Sequence, residues 1–471
     1  MDRFKYLAKN TFIFALGNLG TKLINFFLVP LYTNVLTTEE YGTIDLIFTI
    51  CTFAVPIIVM NIYEAVMRYC LDEDSDYNKV MSVGILMIII SFFGALILAL
   101  LSKKYEPTSK YYIYIYFYAI SSGVAQLFLC YLRGKEKLVQ YSFGNIIQSL
   151  FIALFNIVFI LMLRYGIKGY LLAYIFANII TVVYSFIVGN VSKILHNFKI
   201  ERKLACSMIK YSVILIPNSF MWWIMNSADR LMLTSIIGVA STGIYAISNK
   251  IPSLISVVST IFNQAFSYSA IKEENSCDKD RFSNIIYDNL CFVVLNFGMI
   301  LIMFIKEFVK IYVNSNFYEA WVYTPPLIWG TSVLVLSTFL STSYTVHKDS
   351  KGFLFSATIG AIINICLNLI FIPVSGIMGA AVSTAFSYFA VLVYRFFDTK
   401  KYIKIDVFSV KHILGILFIT TSCFTIYLDN IISKCIILLL IIFNCIINKD
   451  ILKNSYLFLK KILMRREKNN D

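Results

Sequence analysis

The chain has 471 residues, 59% of them apolar and only 14% charged, and its 41 Lys and Arg outnumber 27 Asp and Glu for a net charge of +14. A soluble multidomain enzyme would need far more surface charge, and no stretch is polar for long enough to form a catalytic domain on a membrane anchor. The basic excess is not a nucleic-acid footprint, because the bases gather at the ends of apolar runs, where they fix topology and meet anionic lipid heads.

Apolar segments of bilayer length run at 12–33, 41–66, 80–101, 111–131, 142–163, 167–190, 209–227, 243–270, 285–305, 322–345, 354–373, 376–394, 412–428 and 431–448. The expected fold is therefore an all-α integral membrane protein with 14 transmembrane helices. The first segment follows Met1-Asp-Arg-Phe-Lys with no small-residue cleavage site, which predicts a retained helix. An even number of spans leaves both ends on one side. That side collects 30 of the Lys and Arg and the opposite side 8, which places both termini in the cytoplasm. The segment 67–79 dissents with Asp72, Glu73, Asp74 and Asp76, but acidic residues weigh little in this rule. The basic tail from Lys449 alternates with apolar residues and is expected on the cytoplasmic leaflet. The ten cysteines form no C-x-x-C pair and the three histidines have no ligand spacing, so neither a metal nor another cofactor is expected.

The chain also resembles itself. Gly166-Ile-Lys-Gly169 opens the sixth span and Gly376-Ile-Met-Gly379 the twelfth. Asn156-Ile-Val-Phe-Ile160 matches Asn368-Leu-Ile-Phe-Ile372, and Gly42-Thr-Ile pairs with Gly243-Ile-Tyr. Six spans per repeat insert with the same orientation, related by an axis along the membrane normal. The division this predicts is an N-lobe at 1–194, a C-lobe at 195–402, and two further helices with the tail at 403–471. Two such pseudo-symmetric lobes enclose a central cavity and suit alternating access by rocking. Pro30, Pro56, Pro217 and Pro252 are expected to kink spans one, two, seven and eight.

An ionisable group inside a span costs several kcal/mol unless it is paired or faces water, on the order of the 2.5–3.5 found by insertion measurements. Span one carries Asn18, Lys22 and Asn25 on one face, and span two carries Asp45, Thr49 and Thr52. Span eight has the longest stripe: Asn249, Ser253, Ser256, Thr260, Asn263 and Ser267, beside Lys250. Span seven adds Asn218, Asn226 and Asp229-Arg230. The functional reading is a cationic cavity of Lys22, Arg68, Arg230 and Lys250 facing an anionic, phosphorylated substrate, since Lys and Arg supply donors and charge together. The structural alternatives are that Lys22 and Lys250 pair with a carboxylate such as Asp45, that Asp229-Arg230 is interfacial, that Glu64 and Arg68 form an intrahelical pair, and that the Ser and Thr of span eight are packing residues. Trp222-Trp223 either packs or stacks on sugar rings, and the Tyr111–Tyr118 run reads as interface belt.

These residues resemble a known family. Lys9-Asn-Thr-Phe…Gly17-Asn-Leu-Gly, Pro30-Leu-Tyr-Thr-Asn-Val-Leu-Thr-Thr-Glu-Glu-Tyr-Gly42, Asp229-Arg230-Leu…Gly243-Ile-Tyr-Ala and Gly376-Ile-Met-Gly-Ala-Ala are similar to the Wzx-type polysaccharide flippases of the multidrug/oligosaccharidyl-lipid/polysaccharide exporter superfamily, from about residue 8 to 400. The resemblance implies an inverted-V bundle of two six-helix lobes in a bacterial plasma membrane. It also implies movement of an undecaprenyl-diphosphate-linked oligosaccharide from the inner to the outer leaflet, for surface polysaccharide synthesis. The partners it implies are that lipid, the surrounding membrane lipids and other polysaccharide-assembly proteins. In such flippases cationic residues of helices one, two, seven and eight line the cavity, which carries over to Lys22, Arg68, Arg230 and Lys250. Lipid II flippases have more Arg in helix one, where this chain offers only Lys22. The drug-extrusion branch relies on buried carboxylates, and Asp45 and Glu64 keep a cation-coupled exporter open as a second reading. A polysaccharide polymerase is third, because the outer loops are short. Asp45, Glu64 and Asp229 are the candidates for coupling to a proton or sodium gradient.

Overall fold

A computed structural model describes residues 20–72, 75–257, 259–260, 279–347, 349–428 and 430–453 of the chain. Among them there is no strand. Helical residues 20–27 lead into α1 (Val29–Val35), followed by α2 (Thr38–Ile58), α3 (Ile62–Cys70), α4 (Tyr77–Lys104), the short α5 (Glu106–Ser109), α6 (Tyr112–Gly134), α7 (Leu138–Asn156, continued by a π turn, Ile157–Met162), α8 (Gly166–Gly189) and the short α9 (Val191–His196). Then come α10 (Arg202–Ile236), α11 (Val239–Ser248), α12 (Lys279–Met303), α13 (Ile305–Tyr312), α14 (Ala320–Val346), α15 (Ser350–Thr399), α16 (Val410–Thr425) and α17 (Ile431–Ile447). Among the described residues ten helices are long and apolar enough to cross a bilayer, and α11 and α17 are shorter apolar helices. The protein is a multi-pass membrane protein, because a chain can cross hydrocarbon only where every backbone group is paired within its own helix.

The 50-residue α15 is two helices. Ser375 (φ −130°) and Gly376 (φ 61°) leave helical geometry and separate 350–374 from 377–399. Gly166 also has a positive φ (54°) at the start of α8. These are the two glycines that the internal repeat equates, and a side chain there costs about 1–2 kcal/mol. The likeness extends to packing. A methyl group on Gly169 would lie 3.0 Å from the Phe159 carbonyl oxygen, and one on Gly379 would lie 2.2 Å from that of Phe371, so matched glycines face matched phenylalanines.

Contacts divide the chain into two compact units. The first comprises Met1–Ile247, Lys310–Ala320 and Asn364–Ala380. Here α2 starts with a capping box: Thr37 Oγ1 accepts from the Glu40 amide at 3.1 Å, and Glu40 Oε2 accepts from the Thr37 amide at 2.9 Å, satisfying two otherwise unpaired donors. Pro56 lies inside α2, and the helix breaks just beyond it at Met60 and Asn61, both with positive φ. Pro30 sits in the first turn of α1 and Pro217 inside α10. Lys137 and Lys135 donate to the last carbonyls of α8, on Val188 at 2.8 Å and Gly189 at 3.4 Å, where a cation also meets the negative end of the helix dipole. Tyr118 leaves the expected interface belt: it is buried against Phe48, with ring centroids 4.9 Å apart.

The second unit comprises Ser248–Val309, Trp321–Ile363 and Ala381–Asp471. Asp349 caps the first half of α15 by accepting from the Gly352 amide at 2.9 Å, and also receives Tyr402 Oη at 2.8 Å and Lys401 Nζ at 3.2 Å. Those donors, the Gly352 amide first, hold its carboxyl down at about 2. Arg395, counted with the loop bases in the topology sum, is instead fully buried. It donates from Nε to Ser356 Oγ at 3.1 Å and from Nη1 to the Ser337 carbonyl at 3.1 Å, joining α14 to both halves of α15. His412 Nε2 meets Asp288 Oδ1 at 2.9 Å, linking α16 to α12.

If the breaks at Gly166 and Gly376 are equivalent, Gly166→Ala and Gly376→Ala each destabilise by about 1–2 kcal/mol. Thermal unfolding of the detergent-solubilised protein measures this, and a response at one glycine alone would contradict the equivalence.

Candidate functional site

The charged cluster inside the first unit is built from α2, α10 and α11. Asp45 lies two turns into α2, and Arg230 near the end of α10 reaches it, Nε to Oδ2, at 3.3 Å. Both side chains are largely enclosed, 15% and 24% exposed. The approach is an ion pair with off-line hydrogen-bond geometry, as neither atom forms a well-directed bond. The neighbouring carboxylate, Asp229, is buried. It accepts from the Arg230 amide at 2.9 Å and a short hydrogen bond from Tyr245 Oη of α11. Thr234 and Thr242 hydroxyls share a hydrogen bond of 2.8 Å just beyond, and Thr234 donates to the Arg230 carbonyl at 2.9 Å. Asp229-Arg230 is therefore not an exposed interfacial pair.

The helices can come this close because both carry glycine at the crossing. A methyl group on Gly42 would lie 2.0 Å from the Val239 carbonyl oxygen, and one on Gly243 would lie 2.1 Å from that of Thr38. Val239 precedes Gly243 by four residues, as Thr38 precedes Gly42, so the contact has a local two-fold. The two positions are the ones the repeat aligns.

Farther along α2, Trp223 Nε1 donates to the Thr49 carbonyl at 3.1 Å and lies 3.3 Å from Thr52 Oγ1, and its ring lies 4.6 Å from that of Phe53. Packing thus occupies Trp223. A cavity of about 20 Å³ beside it, lined by Thr52, Pro56, Asn61, Ser219 and Trp223, has room for about one water. Behind α2 lies an aromatic layer that the sequence reading missed, in which Tyr32, Tyr170, Tyr174 and Tyr118 surround Phe48 and Tyr41. Of its tyrosines only Tyr118 and Tyr174 lie well inside spans, whereas Tyr32, Tyr41 and Tyr170 stand near span ends and read as belt residues.

The remaining candidates are dispersed. Lys22 and Asn25 are exposed on helical residues 20–27. Arg68, in the last turn of α3, is exposed and pairs with Asp72 at 2.5 Å, so the expected Glu64–Arg68 pair is replaced by one further along the helix; Glu64 is half-buried. Asn226 is exposed and donates to the Trp222 carbonyl at 2.6 Å. Asn18 and Asn263 lie outside the described residues, as does the Asn218 side chain. In the second unit Asn249 and Lys250, both half-buried, occupy a non-helical turn before Pro252. Beyond it Ile251, Ile255 and Ser259 are buried, whereas Ser253 is exposed and Ser256 and Thr260 are half-buried. The polar stripe is thus only partly covered, with Ser253 its most open member, while Ile251, Ile255 and Ser259 pack inward.

Comparison with known proteins places these features in a family. Residues 7–268 match the model of the polysaccharide biosynthesis protein family. The chain belongs to that family. It is 24% identical over 434 residues to an uncharacterized membrane protein of Methanocaldococcus jannaschii, covering 84% of this chain and 99% of that protein. Among solved structures it is similar to the lipid II flippase MurJ in an inward closed conformation (TM-score 0.68, 16% identity, 94% of this chain and 100% of that one). It is also similar to an inward-facing multidrug resistance MATE transporter (0.66, 12%, 82% and 94%) and to a transporter of the same superfamily from Pyrococcus furiosus (0.59, 14%, 84% and 94%). The Wzx-type family expected from sequence is thus the right one, and the fold is that of the multidrug/oligosaccharidyl-lipid/polysaccharide transporters.

Breaking an enclosed ion pair by removing one partner costs about 3–5 kcal/mol, because the other charge is stranded. Arg230→Gln and Asp45→Asn should therefore each destabilise the protein strongly, and the double variant should recover part of the loss. A double-mutant cycle on thermal stability measures the coupling, and purely additive losses would show that the two charges do not interact.

Proposed function

We propose that this family member moves a lipid-diphosphate-linked oligosaccharide from the inner to the outer leaflet of a bacterial plasma membrane, with both termini cytoplasmic. The observation that carries the reading is a run of polar side chains that stays only partly covered, with Asn249, Lys250, Ser256 and Thr260 half-buried and Ser253 exposed. Ser and Thr can satisfy themselves on their own helix, as Thr260 does on the Ser256 carbonyl at 2.8 Å, but an ammonium group and an amide cannot face acyl chains cheaply. A partly open polar run of this composition suits a hydrated surface, and a sugar headgroup needs a wet path. The diphosphate takes its donors from Lys22, Arg230 and Lys250, while Arg68, engaged with Asp72 at a helix end, serves at the mouth of the path. The lipid tail stays in the bilayer. Alternating access of the two six-helix lobes, 1–194 and 195–402, supplies the motion, and the MurJ and MATE neighbours support that choice by sharing the fold.

A proton or sodium gradient couples to this cycle through carboxylates. Asp45 and Asp229 are engaged with Arg230 and Tyr245, so an ion acts by competing for these partners. This differs from a drug exporter built around an ionisable carboxylate that a cationic drug replaces.

Lys22→Ala and Lys250→Ala should each lower surface glycan about tenfold, the loss expected when one charge-assisted contact to phosphate is removed, while lipid-linked precursor accumulates inside the cell. Glycan immunoblots together with precursor extraction read both quantities. Wild-type levels in both variants would reject the cation assignment, and exported single repeat units with lost chain length would mark a polymerase.

A further inference from the structure

Residues 310–320 stand, in the chain, inside the proposed 195–402 lobe, yet they pack with the first unit. The residues on either side of them, up to Val309 and from Trp321, belong to the second unit. A segment placed in this way has to give up its contacts whenever the lobes of a rocking carrier part. The orientation proposed above puts it on the outer side of the membrane.

Its contacts run along the end of span one to the first turn of α2. Tyr312, the last residue of α13, is buried while its neighbour Ile311 is 87% exposed, so the segment has an inner and an outer edge. The Tyr312 ring stacks on that of Phe26, with centroids 4.6 Å apart, and its hydroxyl donates to the Phe26 carbonyl at 2.7 Å. In an unbroken helix the carbonyl of residue 26 would take the amide of residue 30. Residue 30 is proline, which has no amide hydrogen to give. Two residues beyond Tyr312, the Asn314 amide donates to Thr33 Oγ1 and the Asn314 side chain to Asn34 Oδ1, both at 3.3 Å. Asn314 Oδ1 also accepts from the Asn316 amide at 3.2 Å, which holds the single 3₁₀ turn at Ser315–Phe317. That turn brings Phe317, fully buried, edge-on to the Tyr41 ring at 5.8 Å between centroids. Tyr41 lies one turn before Asp45 on α2.

We infer that residues 310–320 are a releasable outer strap, in which the Tyr312 hydroxyl stands in for the amide that Pro30 lacks and lets go when the outer side opens. The bonds suit release. Each is neutral, and a neutral hydrogen bond contributes little net because water replaces it when it breaks. Pro30 serves the strap twice: it leaves a carbonyl for Tyr312, and it bends span one where the helix ladder misses a bond. Through Phe317 and Tyr41 the strap rests on the same stretch of α2 that carries Gly42 and Asp45. The inference rests on the alternating access proposed above and adds the element that closes its outer side.

Hydrogen–deuterium exchange of the full-length protein in phosphatidylcholine nanodiscs, read on peptides covering 310–320, tests the latch. Tyr312→Phe keeps the ring and should raise exchange there about fivefold, the change expected for one net hydrogen bond, with α16 and α17 unaffected. In a Pro30→Ala background the new amide serves the Phe26 carbonyl, so the same substitution should change exchange by less than about twofold. Exchange indifferent to Tyr312→Phe, or an equal rise in both backgrounds, would overturn the assignment. Should Pro30→Ala fail to fold, Tyr312→Phe and the following bridge decide. Asn34→Cys and Asn314→Cys are combined and joined by a short bis-methanethiosulfonate, in vesicles scored for translocation of a fluorescent glycosyl prenyl diphosphate. The bridge should stop translocation until reductant is added, while each single-cysteine variant treated alike continues. Translocation that survives the bridge sinks the strap and leaves the flippase reading standing. Wild-type protein that translocates nothing sinks the flippase reading, and the exchange results then decide the strap.

Discussion

Inside hydrocarbon no water rescues a stray charge or an unpaired amide, so each polar side chain that a span carries needs a partner within the protein or a wet surface. In the first unit the enclosed charges of α2 and α10 obey the first option. Asp45 holds Arg230, and the Tyr245 hydroxyl and the Arg230 amide hold Asp229. In the second unit the polar run at 249–260 is only partly covered, and Ser253 and Thr260 donate to carbonyls of their own helix turn, on Lys250 and Ser256. The same constraint thus gives a locked polar cluster in one unit and a partly open polar run in the other.

The locked cluster depends on a backbone feature that carries no charge at all. Gly42 and Gly243 bring α2 and α11 within methyl-group distance, and the same approach carries Tyr245 to Asp229. Small residues permit this closeness in lipid, where no hydrophobic force draws helices together and packing has to do so. The local two-fold at that crossing has an economical origin. An ancestral helix bearing one glycine, once duplicated, offers two copies of the same surface, and identical surfaces pair most simply about a two-fold axis.

Much of this was legible in the residues. Composition alone established a helical membrane protein, and the repeat picked out Gly166 with Gly376 and Gly42 with Gly243, because glycine at a left-handed or tightly crossed position leaves a mark no other residue can replace. Proline positions marked the break after Pro56 and the turn before Pro252. The charge pairs were less legible. Asp45 was expected to meet Lys22 or Lys250 and instead meets Arg230, since helical spacing says which face a residue shares and not which helix comes to meet it. Arg68 chose Asp72 over Glu64 because both stand four residues away and only the surroundings break that tie. Arg395 lies in a run of bases, and only tertiary packing against Ser337 and Ser356 separates it from its neighbours. The family match extends the legible part to class of carrier, while the cargo depends on where cations meet phosphate.

The ion pair and the open face also bear on which carrier this is. An exporter of cationic compounds requires a carboxylate able to exchange its cation for a drug. In the enclosed cluster that role would fall to Asp45, and a guanidinium already occupies it; displacing it would strand Arg230 at a cost of several kcal/mol, about 3–5 for a buried pair. A phosphorylated cargo reverses the cost. A diphosphate approaching Arg230 offers the guanidinium a second anion in fork geometry, so Asp45 can release it without leaving a bare positive charge. Release of Arg230 loosens α10 from α2 at the point where Gly42 and Gly243 bring α2 and α11 together. Under the proposed function the anion would be both cargo and key, opening by its own charge the pair that closes the cluster.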